Sequence, residues 1–268
     1  MSLSRALDLL SCPRCGSAVT LGSGTVVCRD GHTWDVARQG YVNLLGRAEP
    51  ANADTTAMLA ARSRVLAAGL FDPVAAAIRA ALTGRPRVLE VGSGTAYYLL
   101  RALGDDDSGV GIALDVSKAA ARLAAKADPR VAAVVADVWR RLPIQDHSLD
   151  AVLCVFAPRN IAEFARVLRP DGRLVVATPN PEHLSGLRSR HDLLRVPPEK
   201  VAQVTAAAAE FFEPIATTNL LHRREVDAAL AWDLIAMGPN AFHGLPEGVQ
   251  AAHVEIAVNV TTFAPLSS

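Results

Sequence analysis

The stretch RVLEVGSGTAYYLLRALG, residues 87–104, decides the fold. Its first five residues are mostly apolar and β-branched, and the run is closed by glycines, which predicts a short buried strand. The residues after Thr95 have helical spacing and end at Gly104. A strand that turns through glycines into a helix is where backbone approaches a ligand closely, because glycine takes left-handed φ and the helix start offers free N–H groups. A dinucleotide fingerprint needs a third glycine at position 97, where this chain has Tyr97. A triphosphate loop needs Gly-Lys-Ser/Thr, which is also missing here.

Working outward, the same rhythm repeats. GVGIALD and KAAARLAAKA, then RVAAVVAD, LDAVLCVFAP, IAEFARVLR and GRLVVATP read as alternating strands and helices, with a PDG turn before the last strand. Later strands are expected in EPIATTNLLHRREV and HVEIAVNVTTF. Alternation of this kind predicts an α/β fold with a doubly wound, mostly parallel sheet. Upstream, TTAMLAARSRVLAAG and PVAAAIRAALTG read as two helices, the first capped at Asp54 or Thr55 and stopped at Gly69, bridging to an N-terminal module.

The glycine loop, Glu90-Val-Gly92-Ser-Gly94-Thr95-Ala96, has the form E-x-G-x-G-x-A. This resembles the first motif of class I S-adenosylmethionine-dependent methyltransferases, whose fold is Rossmann-like. Two later acids fit a nucleoside site. Asp115 ends the second strand, 25 residues after Glu90, where a carboxylate accepts from ribose hydroxyls. Asp137 ends the third strand, near where adenine would lie. Each acid alone reads as a solvated strand end; three at successive strand ends beside a glycine loop read as a ligand edge.

At the N-terminus, CPRCGSAVTLGSGTVVCRDGH (residues 12–32) holds three of the four cysteines as C-x2-C-x12-C-x3-H. Cys12, Cys15, Cys28 and His32 would close a tetrahedral shell with no open position, the mark of structural Zn2+. A small module with little core gains its stability from such a metal. The competing reading, a Cys12–Cys15 redox pair, requires a helix start in a βαβ context. Cys154, inside AVLCVFA, reads as a core residue. The expected organisation is a zinc-binding domain over 1–46, a helical linker region over 47–84 and a methyltransferase domain over 85–268.

Composition sets outer limits. Half of the 268 residues are hydrophobic, and 27 basic residues balance 27 acidic ones, so nucleic acid can be attracted only by a local patch. Residues 1–47 carry five arginines against three aspartates, and residues 158–200 carry eight basic residues against five acidic. Apolar runs are too short for a membrane helix and the first residues lack a signal-peptide pattern, which suggests a cytoplasmic protein.

The C-P-x-C…C-x3-H cluster, GYVNLL, ADTT-x-M, the glycine loop, LDVSK, VFAPRN and ATP-x-x-x-H-L together resemble the 23S rRNA (guanine-N1)-methyltransferases along essentially the whole chain. ADVW-x-x-LP with VFAPRN is most similar to an actinomycete subgroup that includes a tylosin-resistance enzyme. The resemblance implies zinc on Cys12, Cys15, Cys28 and His32. It implies S-adenosyl-L-methionine contacts at Gly94, Thr95 and His183, and at Phe71, where the family often has tyrosine. It also implies a 23S rRNA substrate modified in hairpin 35 at a 748- or 745-type guanine, a link to macrolide resistance, and a homodimer. With Glu90, Gly92, Asp115 and Asp137 these complete the expected cofactor set.

Guanine N1 carries a proton at neutral pH, so a base or an O6 partner is needed. Asp137, His183 and a carboxylate from a partner loop remain candidate bases, and Arg159 is a candidate for O6 or a phosphate. Trp34 and Tyr41 read either as packing for the small module or as base-stacking groups. A small-molecule methyltransferase would share the second half of the chain but has little need of a zinc module. A non-catalytic zinc and RNA module would have little need of the glycine loop with Asp115. An NAD-dependent oxidoreductase is disfavoured by Tyr97.

Overall fold

A computed structural model describes residues 2–105, 107–191, 193–194 and 196–266. A 3-10 turn at Ser2–Ala6 leads into β1 (Val19–Leu21), β2 (Thr25–Cys28) and β3 (Thr33–Asp35), a three-stranded antiparallel ribbon. Gly24 makes the β1–β2 turn at φ +78°, a left-handed angle that costs glycine little. Next come β4 (Val42–Asn43), α1 (Thr56–Ala67) and α2 (Asp72–Ala81). Thr55 caps α1 by accepting from Met58 N, and Gly69 at φ +75° follows its end.

From residue 87 the chain runs β5 (Arg87–Val91), α3 (Tyr97–Leu103), β6 (Val110–Asp115), α4 (Lys118–Ala127), β7 (Val131–Val135) and β8 (Leu149–Val155). It continues through α5 (Ile161–Val167), β9 (Leu168–Pro179), α6 (Ser185–His191) and α7 (Lys200–Ala208). β10 (Phe212–Val226), α8 (Ala228–Ala236) and β11 (Ala252–Pro265) complete it. The large sheet has the order β10-β11-β9-β8-β5-β6-β7-β4. β4 to β9 run parallel, whereas β11 is antiparallel to both its neighbours, β9 and β10. Strand order reverses beside β5, so the crevice for a ligand opens at the carboxyl ends of β5, β6 and β8.

Both faces of this sheet are covered, which is why its central strands read as continuous apolar runs. Val88 and Leu153 point into one core with α1, α2 and α3. Leu89 and Leu174 point into the other, together with Leu3, Leu9 and Val26 from the N-terminal module. The ribbon therefore packs on the sheet rather than standing apart. β4 adds directly to the sheet edge, pairing Val42 with Val134. Likewise α1 packs on α8 and α2 on α3, and Arg64 of α1 clamps Asp233 of α8 with two hydrogen bonds of 2.7 and 2.6 Å.

The expected PDG turn is absorbed into β9. Opposite it the pairing slips, with Leu168 facing Leu149 but Arg173 facing Ala151, so the turn residues bulge out of the ladder. β10, at the free edge, is exposed over most of its 15 residues, including Ile215 and Leu221. Among the described residues no helix is long and apolar enough to cross a membrane.

Candidate functional site

In the ribbon, Cys12 and Cys15 come from the tight turn before β1, and Cys28 and His32 from the end of β2 and the turn after it. Cys12 O accepts from Gly16 N at 2.9 Å and Cys28 N donates to His32 O at 3.0 Å, so each turn is locked by its own backbone. The four ligand atoms lie within 4.8 Å of one another. Cys15 Sγ is 3.7 Å from Cys28 Sγ, and His32 Nδ1 is 3.5 and 3.4 Å from Cys12 and Cys28 Sγ. Zinc bonds of about 2.3 Å to sulfur and about 2.0–2.1 Å to nitrogen give tetrahedral edges of about 3.75 Å between sulfurs and about 3.55 Å between sulfur and nitrogen. The donor set thus fits Zn2+ in size and in chemistry, with Nδ1 as the imidazole ligand. A redox pair alone would leave Cys28 and His32 without a reason to converge on it.

Trp34 packs against the core under the ribbon with its ring 6.1 Å from that of His32, and Tyr41 is buried. Trp34 thus packs the small module, whereas Tyr41 joins the core on the other face of the sheet with α1 and α2. Cys154 is fully buried, and burial pushes its thiol up to about 12, as expected for a core cysteine.

The second site lies at the carboxyl edge of the sheet. Gly92 and Gly94 take φ of +61° and +51°, and Ala96 enters α3 at +60°. A Cβ on Gly92 would come within 2.7 Å of Ala157, so the loop packs tightly on the chain after β8. Asp115 accepts from Gly94 N and from Ser117 N, both at 2.8 Å, and thereby ties the glycine loop to the end of β6. Burial pushes the Asp115 carboxyl up, while those two N–H groups and the charge of Arg62 pull it back. Glu90 lies below the loop, 1% exposed, accepting from Leu99 N of α3 at 3.1 Å. Burial raises it to about 8. Thr95 is half-buried in the turn. Tyr97, in place of the third glycine, donates to Asp72 at 2.5 Å and so joins α3 to α2.

Asp137 follows β7. It pairs with Arg47 at 2.5 Å and accepts from Trp139 N at 3.0 Å. Its link to Asp115 runs through the backbone, where Ala136 N donates to Asp115 O. Phe71 and His183 are brought together from positions 112 residues apart, their ring centroids 6.0 Å from each other. Phe156 completes the group at 6.0 Å from each, stacked on His183 with 25° between planes. His183 Nδ1 accepts from Ala257 N at 3.2 Å, which assigns the proton to Nε2. Burial lowers its pKa to about 4, with the charge of Arg188 acting the same way. At neutral pH it is therefore an uncharged N–H donor rather than a base.

Phe156, Arg62 and Asp54 at this edge carry no site signal in the sequence, whereas Arg159 does. Phe156 is 42% exposed and held at φ +54°, a conformation that costs a non-glycine residue about 1–3 kcal/mol. Arg62 and Asp54 form an ion pair above Gly94. Arg159 hydrogen-bonds only weakly, at 3.5 Å to Ala157 O of its own loop.

Two lines tie the sites together. Ser11 N donates to Pro143 O, Gln145 N to Leu9 O, and Leu10 bridges Ile144. The chain just before the zinc turn thus braces the 136–145 segment that carries Asp137 and the 65% exposed Trp139. Asn160 Nδ2, donating to Val138 O at 2.9 Å, fastens the same segment to the loop bearing Phe156.

Comparison with known proteins agrees with this architecture. Residues 10–49 match the family model "RlmA, N-terminal", a zinc ribbon, and residues 88–172 match a methyltransferase domain. The Streptomyces fradiae 23S rRNA (guanine(748)-N(1))-methyltransferase is 41% identical over 89% of this chain and 87% of its own. The chain belongs to the 23S rRNA (guanine-N1)-methyltransferase family. A Micromonospora griseorubida protein provisionally named for the same activity is also 41% identical, over 96% of this chain and 95% of its own. Among solved structures, the YcgJ protein of Bacillus subtilis shares the fold of the large domain at TM-score 0.50 and 17% identity, over 72% of this chain and 98% of that one. The protein is thus an S-adenosylmethionine-dependent methyltransferase with a zinc ribbon. The carboxylate at the end of β6, the glycine loop and the aromatic group fit a nucleoside with a sulfonium side chain.

Proposed function

We propose that the protein methylates N1 of a guanine in hairpin 35 of 23S rRNA, at a 748- or 745-type position. The observation that carries this reading is the docking of the zinc module, through Leu9 to Ser11, onto the segment after β7 that holds Asp137 and an exposed Trp139. A small substrate has little use for such a module, whereas an RNA hairpin needs a grip on its backbone as well as a pocket for one base. Arg47, Arg140 and Arg141 lie along this face and would make binding sensitive to salt.

S-adenosylmethionine supplies an electrophilic methyl group on a sulfonium. Asp115 would hold the ribose, with Gly92, Gly94 and Thr95 forming the backbone cradle and Glu90 bracing it from below. Asp137 would border the adenine. Phe71 and His183 would line the path to the methyl group, and Phe156 would stack on the guanine once it is unpaired, since N1 lies on the Watson–Crick edge. His183 Nε2–H would donate to O6, where negative charge collects as N1 gives its proton to Asp137, this chain's remaining candidate base, or to solvent water. This assignment makes His183 an oxyanion partner and not the general base.

The reading also places the protein in the cytoplasm with the ribosome. A second copy is proposed to pair through β10, whose long exposed edge is a template for another strand. Light scattering at micromolar concentration tests this; a mass of one chain would reject it. Protection against a macrolide is proposed as the physiological outcome, checked by growth of a host with and without the gene on tylosin.

The deciding experiment incubates large-subunit RNA from cells lacking this gene with the protein and S-adenosylmethionine, then reads it by primer extension. N1-methylguanine blocks pairing, so a new stop in hairpin 35 is expected. Absence of any stop, with cofactor binding demonstrated, would move the reading to another substrate.

A further inference from the structure

Arg62 stands on the inner side of α1 with its guanidinium directly over the glycine loop. A Cβ built on Gly94 would lie 2.6 Å from Arg62 Nη1 and 3.7 Å from Cζ. Nη1 donates to the Asp54 carboxylate, and Nη2 donates to Met237 O at 2.7 Å at the end of α8. Asp54 is itself fixed to the ligand edge, because its carbonyl accepts from Ser117 Oγ at 2.7 Å, two residues beyond Asp115. The carrier helix is held by the Arg64–Asp233 clamp, so the pair has little freedom to drift.

Both side chains keep access to solvent, 25% for Arg62 and 20% for Asp54. For so enclosed an ion pair, desolvation offsets much of the attraction, so stability alone gives little reason for it. It is, however, placed where a ligand would meet it. The amino-acid end of the cofactor is a zwitterion, with an α-carboxylate and an α-ammonium on one carbon. Its complement is a guanidinium and a carboxylate side by side, with the guanidinium able to offer paired N–H groups.

We propose that Arg62 and Asp54 form a clamp for that zwitterion, Arg62 taking the α-carboxylate and Asp54 the α-ammonium, so that the glycine loop receives the methionine chain in one orientation. The proposal rests on the reading of this edge as the S-adenosylmethionine site. It makes Arg62 and Asp54 cofactor-binding residues and gives the pocket its preference for ligands that keep the amino-acid end.

The test is calorimetry on the full chain with three ligands: S-adenosylhomocysteine, its decarboxylated form S-adenosyl-3-thiopropylamine, and 5′-methylthioadenosine, which lacks the amino-acid end. Wild type should bind the first most tightly. Arg62→Gln should weaken S-adenosylhomocysteine by about 30-fold or more, as expected for a lost charge-assisted pair, and leave 5′-methylthioadenosine within about twofold. Arg62→Lys should fall between, since an ammonium cannot form the paired contact. Decarboxylation and Arg62→Gln should not add, because both remove the same contact. Equal losses for S-adenosylhomocysteine and 5′-methylthioadenosine in Arg62→Gln, or no loss in any Arg62 or Asp54→Asn variant, would overturn the clamp. The decarboxylated ligand tests wild type directly, so a variant that fails to fold does not protect the idea: undiminished binding of that ligand would also overturn it. If wild type binds none of the three, the cofactor reading falls first and takes the clamp with it.

Discussion

The ribbon and the glycine-loop pocket are both built around tight turns, yet they are assembled in different ways. The ribbon draws all four ligand atoms from residues 12–32 and closes them with hydrogen bonds inside the same segment. The pocket draws Asp54 from just before α1, Arg62 from the middle of α1, Phe71 from the start of α2, and Asp115 from the end of β6. Phe156 follows β8 and His183 follows β9. The difference separates two kinds of cost. A local site needs little chain ordering beyond itself and uses the metal for its stability. A non-local site exists only after the sheet has formed, so its geometry depends on the whole core.

That contrast can be broken most severely by Cys12→Ser. Loss of one ligand should release the metal and cut RNA methylation by more than about a hundredfold, while S-adenosylhomocysteine affinity changes by less than about threefold because the pocket is held by the sheet. Metal content stays the readout; a stoichiometry still at one per chain would mean the ligand set is wrong. The converse is Asp115→Ala. Loss of a carboxylate that holds Gly94 N and would accept from ribose should weaken the cofactor by about a hundredfold, with zinc content unchanged. If calorimetry shows unaltered affinity, Asp115 does not touch the ligand.

Phe156→Ala sharpens the contrast within the pocket. It should lower RNA methylation by about tenfold, the scale of one lost base–aromatic contact, and leave cofactor affinity in place. An equal fall in cofactor affinity would make Phe156 part of the cofactor site instead. The smallest effect concerns pH. Glu90 has its folded pKa raised from 4.5 to about 8 by burial. The folded state therefore holds a proton that the unfolded state has lost over this window, and the stability from that proton fades as pH rises through it. Glu90→Gln, which keeps an acceptor for Leu99 N, should gain several degrees of melting temperature over wild type at pH 8 and show a smaller gain at pH 5. His183, lowered from 6.5 to about 4, contributes the opposite slope, and its share is lost as pH falls toward 4. A wild-type to Glu90→Gln difference that is flat with pH would show that Glu90 is ionised in the folded protein.

Much of the fold was legible because parallel strands buried on both faces read as plain apolar runs, bounded by glycine and by capping residues such as Thr55 and Ser117. PDG reads as a turn in the sequence, yet it lies inside β9 as a bulge, because the register against β8 lets the strand run on through it. The sequence offers Asp54 or Thr55 as the cap of α1; Thr55 does the capping, which leaves the Asp54 carboxylate for Arg62. Arg62 itself gave no signal, since an arginine in an alanine-rich helix reads as a solvated face. Phe156 lies within VFAPRN, yet its left-handed φ and its exposure beside the Gly92–Ala157 contact have no local sequence signal.

The sequence by itself determined what lies within a few bonds of each motif: the zinc donors and their spacing, the glycines that must take positive φ, and the alternation that makes a doubly wound sheet. Tertiary structure alone decided the proton on His183, set by Ala257 N from β11, and the aromatic group of Phe71, Phe156 and His183. It also decided the placement of Arg62 over Gly94. These are contacts between segments far apart in the chain. Only the packed core fixes such distances, since no local rule of backbone geometry carries information across them.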